Sequence, residues 1–157
     1  MTTFQRFAFV VAATLLVAGM PRVASAALGG DVSSVDVDRV RTQGALVRMV
    51  SSGAYTLHEF QTSSGVMVRE YLSSSGTVFA VAWQGPWLPD LQQLLGPYYG
   101  RYQQETQQIR RSRRSHGPVS IQDADLVIQT GGHQRAFSGR AYLPASVPQS
   151  LSVKSIQ

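Results

Sequence analysis

Residues 55 to 83 contain three runs rich in β-branched and aromatic side chains, Tyr55 to Thr62, Val66 to Ser73 and Thr77 to Trp83, divided by two copies of Ser-Ser-Gly. Three-residue loops ending in glycine suit a type I turn closed by a left-handed residue, so the segment predicts a β-meander. Pairing Thr62 with Val66 and Ser73 with Thr77 then fixes the register of all three strands, because side chains alternate between faces with a period of two. One face holds Phe60, Val66, Val68, Leu72, Val78, Ala80 and Ala82, an aliphatic floor whose small alanines admit a helix. The other holds Tyr55, Leu57, Glu59, Met67, Arg69, Tyr71, Phe79, Val81 and Trp83, aromatic with embedded charge.

Beyond Gln84-Gly85-Pro86, Leu91, Leu94, Leu95, Tyr98 and Tyr102 recur at helical spacing, and Pro89 and Asp90 suit a first turn. Pro97 has no amide hydrogen and crowds the carbonyl four residues back, so this amphipathic helix is expected to kink or divide at Gly96-Pro97. Ser34, acidic residues after it, Val37, Val40 and a terminal Gly44 predict a short N-terminal helix. Ala45 to Val50 reads as a strand or an extended lead-in. Gly131-Gly132 between apolar segments predicts a two-residue hairpin turn. After Pro144 the chain reads as extended and lightly packed. The fold expected is α+β: a mostly antiparallel sheet of about five strands, meander plus hairpin, with the Pro89 helix on one face.

The first 26 residues combine Arg6 in a polar start, an apolar run from Ala8 to Met20 and the small triplet Ala24-Ser25-Ala26, the layout of a secretory signal cleaved after Ala26. The apolar run is short of the roughly 20 residues that cross a bilayer. Residues 27 to 157 are expected to form one exported domain, periplasmic or secreted, with no transmembrane segment and a basic linker near 110 to 118. Zero cysteines suit an oxidising compartment and exclude thiol catalysis and thiolate metal sites. The whole-chain charge of +5 falls to +3 once Arg6 and Arg22 leave with the signal. So small an excess does not imply nucleic-acid binding.

The stretch REYLSSSGTVFAVAWQGPWLPDLQQLLG, with SGRAYLP inside TGGHQRAFSGRAYLP, resembles a family of small exported bacterial proteins catalogued as domain of unknown function 2844. The resemblance runs from ALGG through the rest of the chain. It implies export and a single domain, and it brings no activity, cofactor or catalytic residue with it. Pro97 departs from the pattern, at a position where a residue friendlier to helix is expected.

The register sets Glu59 opposite Arg69 and His58 opposite Glu70. Acid, base and imidazole together can support proton transfer, but cross-strand charge pairs are common on sheets for packing reasons alone. His58, His116 and His133 have no metal-ligand spacing. No GxSxG elbow, Walker-type loop or CxxC occurs, so no cofactor is implied. Gly131-Gly132-His133 is a candidate backbone anion site, although glycine pairs are common in tight turns.

Three functions follow from these residues. The leading one is a non-enzymatic module that binds an envelope protein through Glu59, Arg69, Tyr71, Phe79 and Trp83, since tyrosine, tryptophan and arginine are enriched in binding surfaces. The second is an anionic envelope component held by Arg110, Arg111, Arg113 and Arg114. The third is an enzyme using Glu59 with His58 or His133.

Overall fold

The computed structural model describes residues 27–31, 44–113 and 118–157. The signal sequence with Ala26, the helix expected after Ser34, and Arg114 and His116 of the basic run lie outside the described residues.

Among the described residues, seven strands form one antiparallel sheet: β1 (Ala45–Ser52), β2 (Tyr55–Gln61), β3 (Met67–Ser73), β4 (Val78–Gly85), β5 (Val119–Gln122), β6 (Val127–His133) and β7 (Ala136–Tyr142). Their order across the sheet is β1-β2-β3-β4-β7-β6-β5. Two meanders, one of four strands and one of three, therefore meet along the β4–β7 seam. This β-rich sheet with one helical segment corrects the expectation of an α+β fold with about five strands. The two additional strands lie at the edges, where a neighbour's unpaired backbone recruits a segment whose own pattern is weak. β5 has only four residues, and β1 is exposed along nearly all its length.

The Ser-Ser-Gly loops close as their composition requires. Thr62 N donates to Val66 O and Ser73 N to Thr77 O, both at 2.8 Å, and Gly65 and Gly76 share φ +81°, a region that side chains rarely enter. Through β2–β3 the pairs run Glu59↔Arg69 and His58↔Glu70. In β3–β4 the ladder begins with Leu72↔Val78 and then slips, so that Tyr71 opposes Ala80. Phe79 is the extra residue of a β-bulge. From there on, the parity of β4 is the reverse of that expected. Val81 and Trp83 turn to the helix side with Val68 and Phe60, while Ala80 and Ala82 turn to the other face with Tyr71.

The helical segment divides into α1 (Leu91–Leu95), a 3-10 turn (Gly96–Tyr98) and α2 (Tyr99–Arg113). Asp90 caps α1 through its carboxylate, which accepts from Gln93 N at 3.1 Å. Leu91, Leu94 and Leu95 bury against Leu28, Phe60, Val68, Trp83, Leu126 and Ile128. Each fully buried side chain of this kind stabilises by about 1.5–3 kcal/mol. Residues 27–31 cross between α1 and β4: Leu28 N donates to Leu94 O at 3.0 Å and Gly29 N to Val78 O at 2.8 Å. Arg101 of α2 reaches both Asp123 and Asp125, tying the helix to the β5–β6 turn.

The opposite face is covered by the C-terminal segment. Leu151 and Ile156 bury against Tyr71, Phe79, Ala80 and Ala82, which corrects the expectation of a lightly packed tail. The β6–β7 turn lies at Gln134-Arg135, with Arg135 at φ +68°, and not at Gly131-Gly132. Those glycines belong to β6. Gly132, at φ +110°, has no room for a side chain because the Ala136 carbonyl lies against it.

Candidate functional site

The five residues first considered as one binding face separate in the structure. Trp83 is 2 % exposed and lies in the helix-side core, its ring against Gly139, where a side chain would collide with it. Tyr71 and Phe79 remain together on the other face, ring centroids 6.2 Å apart, and Phe79 is wholly buried there. Glu59 and Arg69 form an ion pair, Arg69 Nε donating to Glu59 Oε2 at 2.8 Å.

The tail covering this face is held by its main-chain oxygens. Arg69 Nη1 donates to Gln157 O at 2.8 Å, the Tyr71 hydroxyl to Ser155 O at 3.1 Å, and Arg140 Nη1 to Val153 O at 2.8 Å. Burial pushes the Tyr71 hydroxyl above its ordinary pKa, opposed by a main-chain hydrogen bond with Gln157 and by the charge of Arg69. Arg69, paired with Glu59, thus helps hold the tail, and the aromatic pair is its seat.

Glu59 is not brought near a histidine. His58 is its neighbour in β2 and points to the opposite face by strand alternation, and His133 lies in β6, four strand steps or about 19 Å away. His58 instead faces the fully buried Glu70 across the ladder, and both have interaction partners. Among the described residues, no three His, Asp or Glu side chains cluster as metal ligands.

An open hollow lies on the helix side. Pro86 and Pro89 bracket Trp87 and Leu88, and fixed φ at both prolines stiffens the short loop between β4 and α1. Trp87 is 59 % exposed and Leu88 51 %. Leu88 borders a groove of about 390 Å³ whose far wall is one stripe of α2, Tyr99, Tyr102, Thr106 and Arg110. Those positions follow one another at three- and four-residue steps, so helix geometry aligns them. Tyr99 and Tyr102 stack with centroids 6.2 Å apart.

A second hollow of about 190 Å³ continues it, lined again by Leu88, Tyr102, Thr106 and Arg110 and closed by Val119 and Phe137. Thr106 lines both, is 6 % exposed, and its hydroxyl has no hydrogen-bond partner among the described residues. A buried hydroxyl without a partner costs free energy. Arg110 and Arg111 are exposed at the end of α2, while the side chain of Arg113 and all of Arg114 lie outside the described residues.

This groove was not read from the sequence, although Trp-Leu held between two prolines is a signal for it: an apolar pair on a stiff connector beside a helix start. Among the described residues no helix is long and apolar enough to cross a membrane.

A family model described as "Protein of unknown function (DUF2844)" matches residues 24–156, and the chain belongs to that family. No curated protein and no solved structure matches it.

Proposed function

We propose that this member of the DUF2844 family is an exported, non-enzymatic binding module, and that it holds its protein partner in the groove between Leu88 and α2. One observation supports this above the others: Trp87 and Leu88 stand exposed on a proline-braced loop, and Leu88 borders a continuous hollow lined by stacked tyrosines and an arginine. Tryptophan, tyrosine and arginine dominate the binding energy of protein interfaces, and a pre-stiffened loop loses little entropy on binding. An apolar side chain of the partner fits between Leu88 and Tyr102, and an acidic group meets Arg110. Export after cleavage at Ala26 belongs to the same reading and is checked by N-terminal sequencing of the secreted or periplasmic protein.

The experiment is photocrosslinking from position 88 in cells of the source bacterium, with the captured partner identified and then titrated. Trp87→Ala and Tyr102→Ala should each weaken that complex by about 2 kcal/mol, roughly thirtyfold. Arg69→Ala, on the tail-covered face, should leave it unchanged. Capture that survives Trp87→Ala and fails with Arg69→Ala would return the site to the sheet face.

A second reading draws support from the exposure of Arg110 and Arg111 at one helix end. An anionic envelope surface bound there would release the protein as salt rises. Co-sedimentation with anionic vesicles, lost on replacing Arg110, Arg111, Arg113 and Arg114 by serine, tests it.

A further inference from the structure

On the tail side of the β4–β7 seam, the register sets two rows of side chains across three strands: Ala82, Arg140 and Gln129, then Gln84, Ser138 and Gly131. The second row has small residues at two of its three positions. A trough of about 500 Å³ results, walled on one side by Ile156 and Gln157 of the docked tail. That volume is within the range of about 300–1,000 Å³ typical of small-molecule sites.

The polar side chains in it are carboxamides, hydroxyls and one guanidinium. Arg140 Nε donates to Gln129 Oε1 at 2.8 Å, which fixes the amide and turns its nitrogen away as a remaining donor. Arg140 Nη1 is occupied by the tail carbonyls of Val153 and Ile156, and Nη2 has no partner among the described residues. Gln84 and Ser138 make no side-chain hydrogen bond among the described residues. Carboxamides and hydroxyls both donate and accept, as sugar hydroxyls do, whereas a guanidinium only donates. Among the lining side chains Arg140 is the one that carries a charge. No aromatic ring is exposed there as a stacking plate, since Trp83 is buried.

We infer that the trough beside the C-terminal tail is a binding site for a sugar acid, its carboxylate on Arg140 and its hydroxyls on Gln84, Gln129 and Ser138. The inference is independent of the groove along α2, which is on the other side of the sheet. The size exceeds what a simple inorganic anion fills, and a single guanidinium suits a ligand with one negative charge. Because Arg140 and the tail wall are joined by hydrogen bonds, the ligand also braces the tail.

The probe is D-glucuronate, titrated into the full chain and followed by calorimetry and by amide resonances of β4, β6 and β7. Saturable binding in the millimolar range or tighter is expected, with glucose and acetate each weaker by about tenfold or more, because each lacks one half of the contacts. Gln84 and Ser138 are exposed, so Gln84→Leu and Ser138→Leu should keep the fold while lowering glucuronate affinity about tenfold or more. Trp87→Ala should bind glucuronate normally. Acetate binding as tightly as glucuronate would show a bare charge contact and overturn the proposal. So would absence of saturable binding, or full affinity in Ser138→Leu.

Discussion

The β2–β3 and β3–β4 hairpins are built on the same Ser-Ser-Gly loop with the same left-handed glycine, and they nevertheless pair their strands differently. In the first, each residue meets the partner that loop length dictates. In the second, Phe79 interrupts the ladder and every later residue of β4 faces the opposite way. The loop sets where pairing starts, and it has no control over a bulge farther along. Packing explains the bulge. With it, Trp83 enters the helix-side core and the two alanines admit the tail over Tyr71 and Phe79; without it, the alanines would face the helix and tryptophan would stand where the tail now packs.

Trp83→Ala tests this contrast with the largest effect. A buried indole should cost about 3–5 kcal/mol in urea unfolding, whereas a surface platform residue would cost about 0.5 kcal/mol or less. Ala82→Leu comes next. It overpacks the face beneath Leu151 and Ile156, at a cost of about 1–3 kcal/mol, and should speed amide exchange in residues 151–157 more than in α1. Exchange accelerated in α1 instead would put Ala82 back on the helix side.

Gly65→Ala and Gly76→Ala probe the part that the hairpins share. Both residues have φ +81°, so the two costs should agree at about 1 kcal/mol each. A large inequality would mean that the loops, and not the bulge, distinguish the hairpins. Arg69→Ala removes a partly exposed ion pair and one tail contact; solvent screening holds the expected loss to about 1 kcal/mol or less. Its signature is local, faster exchange near Gln157 with the β2–β3 amides unchanged.

The smallest effect is a pH slope. Burial raises the Tyr71 pKa in the folded state, so the folded protein keeps this proton at pH values where the unfolded chain has begun to lose it. The resulting stability is fully present below pH 10, the ordinary tyrosine value, and declines as pH rises through the folded-state pKa. Stability measured from pH 9 upward should fall less steeply in Tyr71→Phe than in the parent. Equal slopes would place Tyr71 in water, outside the cover of the tail.

Site residues were legible only as far as local geometry reaches. The Glu59–Arg69 pair follows from one short loop and was available from spacing alone. Its role as an anchor for Gln157 was not, because those partners are 88 residues apart in the chain. The Leu88–α2 groove combines a connector, a helix and the far hairpin, and no window of sequence contains all three. Trp87 and Leu88 could have been singled out as an apolar pair between prolines, but their exposure depends on what α2 leaves open.

Sequence alone determined the antiparallel meander, the left-handed glycines at 65 and 76, a helix opening near Pro89-Asp90 and the helix break at Gly96-Pro97. Each is decided by steric and hydrogen-bonding preferences within a few residues. Tertiary structure alone decided the bulge at Phe79, the burial of Trp83, the edge strands β1 and β5, and the tail that covers Tyr71. These depend on which surface packs best against a distant part of the chain, and a side chain's face, once the ladder slips by one residue, follows from that packing and no longer from its place in the sequence.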